Sequence, residues 1–502
     1  MPKSFTDFSI RLEELRNLLN KAGHAYYVKN QPIMEDSVYD SLYKELIIIE
    51  ERYPNLITED SPSHRIGEPP SVGFKSNIHR IPLHSLDNAF NFNDLQSWFE
   101  RINKIIGSDE TINSNNCLIK MVGELKIDGN AIALSYSNGI LTRATTRGDG
   151  NEGEDITKNA RTIPSIPLRL QMPNSPEWVE VRGEAFISND RFNEINKQRK
   201  NNGDELFANP RNACAGTLRQ LDSRIVSERK LDFFAYTLHL PKVNNKTISN
   251  SFPKNQWEAL NWLRRCGFKI NPNAELFDNL SDVNNFFNKW ETKRKNLSYA
   301  TDGVVIKLNS FAQQEIAGFT QKAPRWAIAL KYQAEETATQ LIRLSYQVGR
   351  TGAVTPIAEF KPVLLAGTTV SRATLHNANR LVELDLHCGD SIVVRKAGEI
   401  IPEVLRVIKD LRQKQSVPLA LPIYCPECKS LLSKEKNQAI TRCINNKCPA
   451  ILRGLIKHWV SKSAMDIEGL GNKIIEQLVS KNVILSIASL YKLNINTLKN
   501  LD

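Results

Sequence analysis

Apolar residues recur along the chain at two spacings, which separate helical from stranded regions. Within residues 8–22 and 36–51 they return every three or four positions, the period of an amphipathic helix. Gln31-Pro32 separates the two runs, because proline cannot continue a helix. Residues 1–72 are therefore predicted to form a helical domain.

Between residues 73 and 333 the pattern changes to strands mixed with helices. Ile132, Leu134 and Tyr136 alternate with smaller residues, and Asn138-Gly139 then supplies a tight hairpin turn. Further strands are predicted at residues 178–187 and 302–308. This stretch is predicted to be one domain that contains both helices and strands.

The last third of the chain shows three further patterns. From residue 334 to 420, short strands alternate with glycine-rich turns, for example at 348–352 and 388–390, which suits a small β-barrel. Residues 421–452 contain a cysteine cluster, and residues 453–502 return to a helical period with a turn at 468–471. The whole chain is thus predicted to be a multidomain α+β protein.

The chain lacks the apolar runs that are expected of a membrane-spanning or secreted protein. The chain has 502 residues, 41% of them hydrophobic, which is enough for several cores. It has no run of 18 apolar residues, and residues 1–15 are charged and lack the apolar segment of a secretion signal. We therefore expect a cytoplasmic protein with no membrane partner.

Positive charge is concentrated near the end of the chain. Residues 341–502 carry 23 Lys and Arg against 13 Asp and Glu, a surplus that accounts for nearly all of the chain's net charge of +11. The nearly neutral residues 1–340 are interpreted as the part that carries the chemistry, and the basic residues 341–502 as the part that binds a polyanion. Charge alone leaves open a merely basic surface.

Four cysteines have the spacing of a metal site. Cys425 and Cys428 are followed, after 14 residues, by Cys443 and Cys448. Four thiolates at these spacings can close a tetrahedral Zn²⁺ site, and a site filled by four protein ligands is structural rather than catalytic. The alternative is four unrelated cysteines in a reducing cytosol.

One lysine has the surroundings of a nucleophile. The stretch Glu124-Leu-Lys-Ile-Asp-Gly129 places Lys126 between two carboxylates, just before a strand. A lysine amine becomes nucleophilic when desolvation or neighbouring cations keep it neutral. By itself the string also fits a surface lysine in a turn.

The turn at residues 148–153 matches the G-x-G-x-x-G pattern without fitting a dinucleotide-binding fold. Asp149, Glu152, Glu154 and Asp155 would repel a pyrophosphate, and no βαβ alternation surrounds the turn. We interpret it as a turn that holds Arg147 at a site.

Other charged residues in the same domain suggest what Lys126 attacks. Arg147, Lys307 and Lys331 lie on or near predicted strand ends, and Glu184 ends another strand. Each alone fits a surface residue. If they converge on Lys126, they indicate nucleotidyl transfer, in which the amine attacks an α-phosphate and Mg²⁺ (or Mn²⁺) offsets the phosphate charge.

Tyrosines and aspartates meet where the two N-terminal helices are predicted to join. Tyr26, Asp36, Tyr39 and Asp40 lie in this region, and Asp36 and Asp40 share a helix face because they are four residues apart. The group suits a cationic or ring-bearing ligand. A solvated helix start with packed tyrosines is the alternative.

Together these motifs resemble those of the bacterial NAD-dependent DNA ligases, over nearly the whole chain. The Lys126 stretch resembles the adenylation motif, the cysteines resemble the zinc finger, and the Tyr26 to Asp40 region resembles the element that recognises the nicotinamide mononucleotide half of NAD. Further matching motifs are Ser85-Leu-Asp-Asn88, Ala144-Thr-Thr-Arg-Gly-Asp-Gly150, Val181-Arg-Gly-Glu184, Phe207-Ala-Asn-Pro-Arg-Asn212, Leu218-Arg-Gln-Leu-Asp222, Asp302-Gly-Val-Val-Ile-Lys307, Trp326-Ala-Ile-Ala-Leu-Lys331 and Val348-Gly-Arg-Thr-Gly352.

The resemblance implies five domains. They are a helical nicotinamide-mononucleotide-recognition domain (1–72), an adenylation nucleotidyltransferase domain of ATP-grasp-like fold (73–333), an OB-fold β-barrel (334–420), a four-cysteine zinc finger (421–452) and a partial helix-hairpin-helix region (453–502). The chain is expected to act as a monomer on nicked double-stranded DNA.

The resemblance also implies a three-step reaction in DNA replication and repair. Lys126 takes AMP from NAD, AMP passes to the 5′-phosphate at a nick, and the 3′-hydroxyl then seals the nick. The implied contacts are Tyr26, Asp36, Tyr39 and Asp40 at the nicotinamide end; Ser85 and Leu86 at adenosine; Glu124, Arg147, Glu184, Lys307 and Lys331 around the nucleotide; and Arg211, Arg219 and Arg350 at DNA or the nick phosphate.

The C-terminal end departs from the family pattern. The chain stops at Asp502, soon after a first hairpin at 467–471, whereas family members usually continue to a BRCT domain. Self-adenylation is expected to need only residues 1–331. One rival is an ATP- or GTP-using nucleotidyltransferase, and the other is a non-catalytic or adenylation-only DNA-binding fragment.

Overall fold

The computed structural model divides into two compact units, Met1–Gln333 and Ala334–Asp502. The residues it describes are 5–27, 33–34, 36–66, 73–107, 118–172, 175–241, 252–332, 336–365, 368–397, 401–413, 415–434, 440–461, 464–495 and 498.

The first unit begins with the two predicted helices, α1 (Phe5–Tyr27) and α2 (Asp36–Arg52). Their apolar faces form one buried cluster, and both helices extend beyond the predicted bounds. Two short 3-10 turns follow at Pro54–Leu56 and Pro62–Ile66. The residues buried in the cluster are Leu12, Leu15, Leu19, Leu46 and Ile49.

The rest of the first unit contains two sheets, in which most strand pairs are antiparallel, and a separate two-stranded sheet. Its strands are β1 (Ser76–Ile78), β2 (Asp87–Ala89), β3 (Met121–Ile127), β4 (Asn130–Ser137), β5 (Ile140–Thr146), β6 (Glu152–Glu154), β7 (Trp178–Phe186), β8 (Asp232–His239), β9 (Glu275–Phe277), β10 (Thr301–Leu308) and β11 (Ala327–Lys331). The first sheet has the order β2–β11–β10–β3–β9, the second has the order β5–β4–β7–β8, and β1 pairs with β6.

Helices cover these sheets. They are α3 (Phe92–Gly107), α4 (Thr157–Arg161), α5 (Asn189–Asn201), α6 (Pro210–Leu218), α7 (Ser223–Arg229), α8 (Gln256–Arg265), α9 (Leu280–Lys293) and α10 (Phe311–Ala317), with a short 3-10 turn at Arg294–Asn296. Trp98 of α3 and Phe286 of α9 are buried in the same apolar cluster as Val304 and Ile306 of the first sheet. A second apolar cluster includes Tyr136 of the second sheet.

The sequence predicted the centre of this unit well. Every residue of β10 is buried, as its apolar run suggested. The β4–β5 hairpin turns at Asn138 and Gly139, whose φ angles are +48° and +80°. Positive φ at both central positions is the type I′ geometry that an Asn-Gly pair favours.

The second unit begins with a closed barrel of its first five strands, in the order first, second, third, fifth and fourth, which confirms the predicted barrel. The strands and helices of this unit are β12 (Glu336–Val348), β13 (Val354–Leu365), β14 (Thr368–Thr374), α11 (Ala378–Leu384), β15 (Ser391–Ala397), β16 (Ile401–Val407), β17 (Leu432–Ser433), β18 (Arg442–Cys443), α12 (Pro449–Trp459) and α13 (Asn472–Ser480), with 3-10 turns at Lys409–Leu411 and Ile487–Lys492.

In addition to the cysteine cluster, the second unit contains two apolar clusters. The barrel interior buries Leu341, Phe360 and Ile392, among others. Ile456 of α12 packs with Leu478 of α13, so the predicted return to helix in the last part of the chain is confirmed, although α12 already begins at Pro449. None of the described helices has the length and apolar character needed to cross a lipid bilayer.

Candidate active site

Lys126 shares one face of the first sheet with several other charged residues. Glu124 precedes it by two positions on β3, so both side chains project to the same side. Lys126 is paired with Gly303 of β10, and Gly303 is paired in turn with Lys331 of β11. Paired residues share a face, and Gly303 has no side chain to separate the two lysines. The sheet therefore brings Lys126 and Lys331 together.

A β-bulge places the carboxylate of Asp302 between these lysines. The register of β10 against β3 shifts between Thr301 and Gly303, which makes Asp302 the extra residue. Its Oδ2 accepts a hydrogen bond from Lys126 Nζ at 2.7 Å and lies 3.1 Å from Lys331 Nζ. The Asp302 side chain is 2% exposed, whereas that of Lys126 is 22% exposed. Lys126 is thus held by a buried acid and still reaches solvent.

Arg211 joins this cluster through Asp128. The guanidinium Nη1 donates to Asp128 Oδ1 at 2.8 Å, and Asp128 follows Lys126 by two residues. Although burial opposes the charge, Asp128 raises the pKa of the Arg211 guanidinium. Arg211 is held near the start of α6, where the Asn209 side chain accepts from the Asn212 N–H at 2.7 Å.

Glu184 lies on β7 of the second sheet, and the charges of the Lys126 cluster influence its pKa. Burial raises the pKa of this carboxyl to about 8. Lys126 and Arg211 oppose the shift, whereas Asp302 and Asp128 add to it. Glu184 is therefore a carboxyl whose protonation changes near neutral pH.

Gly129, in the turn between β3 and β4, allows this turn to approach the strand that carries Glu184. A Cβ at position 129 would lie 2.3 Å from the carbonyl oxygen of Ala185 and 2.9 Å from Glu184 Cγ. Any side chain there would push β7 away from β3. The two sheets meet at this point because the residue is glycine.

Replacing Glu184 with glutamine is expected to change the pH dependence of stability. The folded-state pKa is raised, so the contribution of Glu184 to the parent's stability is fully present below the ordinary Glu pKa and is lost progressively as the pH rises to about 8. Glutamine does not titrate. The melting temperature of Glu184→Gln should therefore rise relative to that of the parent as the pH increases from about 5 to about 8. A constant difference over this range would contradict the raised pKa.

A second polar cluster lies further along β3. Glu124 Oε1 accepts from Lys307 Nζ at 2.9 Å, and both side chains are 6% exposed. Lys307 Nζ also donates to the Tyr236 carbonyl oxygen at 2.9 Å and lies 5.1 Å from the centroid of the Tyr236 ring. Burial raises the pKa of the Tyr236 hydroxyl, so the ring stays neutral. This cluster combines an acceptor, a cation and an aromatic ring.

The three cations expected around Lys126 divide between these places. Among the described contacts, Lys331 shares Asp302 with Lys126, whereas Lys307 pairs with Glu124. Arg147 is exposed on the turn after β5. Its positive charge opposes the rise that burial causes in the pKa of Tyr236. Convergence on Lys126 is therefore seen for Lys331 only.

Ser85 and Leu86 end a segment that a buried arginine anchors. The Arg182 guanidinium donates to the Pro82 carbonyl oxygen at 3.0 Å and to that of the preceding residue, and it pairs with Glu180 at 2.7 Å. Ser85 is exposed and Leu86 is half-buried, just before β2 at the sheet edge. The segment is thus fixed to the second sheet at one end and to the first sheet at the other.

The predicted nicotinamide-binding residues are described only in part. Tyr39 of α2 is half-buried, and its ring stacks on Tyr43 with centroids 6.1 Å apart. Tyr26, Asp36 and Asp40 belong to α1 and α2, but their side chains lie outside the described residues. Their role stays a prediction.

The remaining predicted DNA contacts lie on exposed surface. The Arg219 side chain is 64% exposed and pairs with Glu154 at 2.7 Å. Arg350 is exposed on the turn between β12 and β13 of the second unit. That turn is bonded to the cysteine cluster, because the Cys443 N–H donates to the Gly352 carbonyl oxygen at 2.8 Å.

The four predicted zinc ligands come together in the second unit. Their sulfurs all lie within 4.8 Å of one another. The Sγ atoms of Cys425 and Cys448 are 4.0 Å apart, and those of Cys428 and Cys443 are 3.5 Å apart. A tetrahedral zinc thiolate site places its sulfurs roughly 3.8 Å apart, so the geometry fits Zn²⁺.

The electrostatics of the cluster also fit a divalent cation. Burial raises the pKa of the Cys443 thiol to about 12 and also raises that of Cys448. Although burial opposes it, hydrogen bonding with Ser430 lowers the pKa of Cys428 to about 6. Sulfurs this close resist ionising together unless a cation offsets their charge.

Sequence reasoning missed Asp302 and Tyr236 as site residues. Asp302 opens an Asp-Gly pair inside a strand, and a glycine in a strand often marks a bulge, which was the available signal. Tyr236 is likewise the extra residue at a register shift, between β7 and β8. Its position beside Lys307 depends on the pairing of distant strands, so no local signal revealed it.

Family models match four parts of the chain. The NAD-dependent DNA ligase adenylation domain matches residues 71–335, more than half of the chain. The DNA ligase-like, N-terminal NAD+-binding domain matches residues 6–67. The NAD-dependent DNA ligase OB-fold domain matches residues 338–416, and the C4 zinc finger domain of these ligases matches residues 424–450.

Curated relatives match along almost the whole chain. A DNA ligase of Parasynechococcus marenigrum (strain WH8102) is 59% identical over 98% of this chain and 71% of its own length. DNA ligases of Synechococcus sp. (strain WH7803) and Prochlorococcus marinus (strain MIT 9303) are 58% and 59% identical, each over 98% of this chain and over 70% and 71% of their own lengths.

Among solved structures, the ATP-dependent DNA ligase of bacteriophage T7 with ATP aligns with 66% of this chain and 99% of its own, at 11% identity and a TM-score of 0.27, which is too low to support a structural argument. The family matches confirm the expected adenylation domain, OB-fold and four-cysteine zinc finger, with NAD and zinc as their ligands. The chain belongs to the NAD-dependent DNA ligase family.

Proposed function

We propose that this chain seals nicks in double-stranded DNA after adenylating itself on Lys126. The observation that carries the proposal is the partly exposed Lys126 amine, held at 2.7 Å by the buried Asp302 beside Lys331. A lysine fixed in this way is aimed before its substrate arrives, which lowers the entropic part of the barrier.

In the first step the Lys126 nitrogen forms a bond to the α-phosphorus of NAD. The bond between that phosphorus and the nicotinamide mononucleotide breaks, and the mononucleotide leaves with the bonding electrons. The amine must lose a proton, and Asp302 Oδ2 lies within hydrogen-bond distance to accept it. Lys331, which shares Asp302 with Lys126, offsets the charge that gathers on the phosphate.

The cluster around Glu124 suits the base of the nucleotide. Glu124 is two residues from Lys126, roughly 7 Å along the strand, which separates a base site from a phosphate site. The Tyr236 ring offers a stacking surface, and Glu124 offers a hydrogen-bond acceptor. We assign Ser85 and Leu86 to the adenosine side, and Arg147 and Glu184 to the sugar and phosphates.

Mg²⁺, which is typical of the family, would be held mainly by the phosphates. Among the described residues the four cysteines are the only close group of potential ligands, so the carboxylates of Asp302 and Glu184 form no ready-made cage. Asp302 Oδ1 is buried without a hydrogen-bond partner in the described part of the chain. A hard cation that keeps several waters can use one or two such oxygens, and it would lower the charge barrier between phosphate and amine.

Other residues are assigned to the two ends of the reaction. We assign Tyr26, Asp36, Tyr39 and Asp40 to the nicotinamide end of NAD, which leaves in the first step. Arg211, Arg219 and Arg350 are assigned to DNA, with Arg211 nearest to the reacting phosphate through its link to Asp128. The basic surplus of residues 341–502 supports backbone binding in the second unit.

We further propose that the protein acts as a cytoplasmic monomer. A nick has one 5′-phosphate and one 3′-hydroxyl, so one copy of Lys126 suffices for each event. Size-exclusion chromatography with light scattering checks the monomer, and fractionation of cells checks the location.

The test is the intact mass of the purified chain after incubation with NAD and Mg²⁺, beside an ATP control. Nicotinamide mononucleotide is added beforehand to strip AMP already present. A gain of one AMP with NAD alone, followed by sealing of a nicked duplex, is expected. A gain with ATP alone would favour another nucleotidyltransferase, and no gain would favour a non-catalytic DNA-binding protein.

A further inference from the structure

Gln256 lies beneath the Glu124 cluster and touches both of its acceptors. It is the first residue of α8 and is 3% exposed. Its Nε2 donates to Glu124 Oε1 at 3.2 Å and to the Tyr236 carbonyl oxygen at 2.9 Å. Its main-chain N–H donates to Asn309 O at 2.8 Å, which fixes the start of the helix.

Gln256 and Lys307 complete a closed ring of hydrogen bonds. Each donates to the same two acceptors, Glu124 Oε1 and the Tyr236 carbonyl oxygen. Lys307 balances the charge of Glu124, whereas Gln256 is neutral and adds direction. Two donors on one oxygen fix the rotation of the carboxylate more firmly than one donor does.

The ring leaves one carboxylate oxygen for a ligand. Glu124 Oε1 accepts twice, whereas Oε2 accepts no hydrogen bond from the residues that the structure describes. An ionised carboxylate only accepts, so Oε2 favours a ligand N–H and disfavours a ligand carbonyl oxygen. A 6-aminopurine presents an N–H at its sixth position, whereas a 6-oxopurine presents a carbonyl oxygen there.

We propose that Gln256 is a positioning residue that sets the preference for the adenine dinucleotide over its hypoxanthine counterpart. By holding Glu124 Oε1, it turns Oε2 toward the base. This inference rests on the proposed function, because it needs the base to lie at Glu124. Gln256 acts through Glu124 and does not itself contact the reacting atoms.

A purely structural role for Gln256 has a different signature. If its amide served only to satisfy the Tyr236 carbonyl, its loss would weaken use of both dinucleotides by the same factor. A positioning role changes the ratio between them, since only the amino group depends on how Glu124 is turned.

The test compares kcat/KM for release of nicotinamide mononucleotide from NAD and from nicotinamide hypoxanthine dinucleotide. We expect the parent to favour NAD by about 100-fold and Gln256→Met to favour it by only about tenfold, the effect of losing one hydrogen bond to a charged group. Methionine keeps the length and volume of glutamine without its donors.

Gln314→Met is the matched control. Gln314 is also a buried glutamine on a helix, but its Nε2 donates to the Leu308 carbonyl oxygen at 2.7 Å and not to Glu124. Its ratio should equal that of the parent. If Gln256→Met fails to fold by its melting curve, Gln256→Asn, whose shorter amide cannot span both acceptors, takes its place.

The outcomes separate this inference from the proposed function. A lowered ratio in the Gln256 variant alone supports the inference. An active parent that uses both dinucleotides equally, or an unchanged ratio in the Gln256 variant, overturns the inference and leaves self-adenylation standing. A parent that releases no mononucleotide from either dinucleotide overturns the proposed function and the inference with it.

Discussion

Replacing Lys126 with alanine is expected to lower self-adenylation with NAD by at least about 10,000-fold, because the substitution removes the amine that forms the phosphoramide bond. The variant should still fold. Asp302 keeps Lys331 as a partner at 3.1 Å, so the buried carboxylate is not left unpaired. The measurement is single-turnover release of nicotinamide mononucleotide, together with the intact mass and the melting temperature.

Lys120→Ala is the matched control for this experiment. Lys120 immediately precedes β3, but it is 44% exposed and pairs with Asp278 at 3.0 Å, away from Asp302. Adenylation should be unchanged in the control. AMP labelling retained by Lys126→Ala at the parent's rate would show that another residue is the nucleophile.

Replacing Cys428 with serine is expected to weaken zinc retention by at least about 100-fold, because a hydroxyl is a poor substitute for a thiolate ligand. Nick sealing should fall by about tenfold or more, since the Arg350 turn is bonded to the Cys443 strand and loses its support. Adenylation should be spared, because Lys126 and its partners all belong to the other compact unit. Bound zinc is measured by metal analysis, and sealing is measured on a nicked duplex.

Cys388→Ser is the control for the zinc experiment. Cys388 is an exposed cysteine of the same unit that lies outside the four-sulfur cluster. It should keep its zinc and its sealing rate. An equal loss of adenylation and sealing in Cys428→Ser would mean that the finger also supports the first unit.

Features that depend on neighbouring residues could be predicted from the sequence. The Asn138-Gly139 hairpin, the buried strand β10 and the helices α1 and α2 follow from local periodicity and turn chemistry. The four cysteines were identified because metal ligands come in short, regular spacings. In each case the physical cause lies within a few residues of the feature.

The contacts inside the site depend on strand register, which the sequence does not display. Lys126 and Asp302 are 176 residues apart, and they meet only because β10 pairs with β3 and bulges at Asp302. Gln256 and Glu124 are 132 residues apart. A shift of one residue in either pairing would turn these side chains to the opposite face, so the local pattern of residue types cannot identify the partners.

The single oxygen by which Asp302 holds two lysines has a consequence for the loaded enzyme. Before reaction, one negative group faces two positive ones. Once AMP is attached and the proton taken up by Asp302 has passed to solvent, the Lys126 nitrogen no longer carries a full charge, and the Asp302 carboxylate pairs with Lys331 alone. Attachment of AMP thus leaves the buried charges of Asp302 and Lys331 equal and opposite, while the added phosphate lies outside this pair. Between reactions, such an enzyme would therefore be stable in its adenylated form, and it would bind DNA next rather than nucleotide.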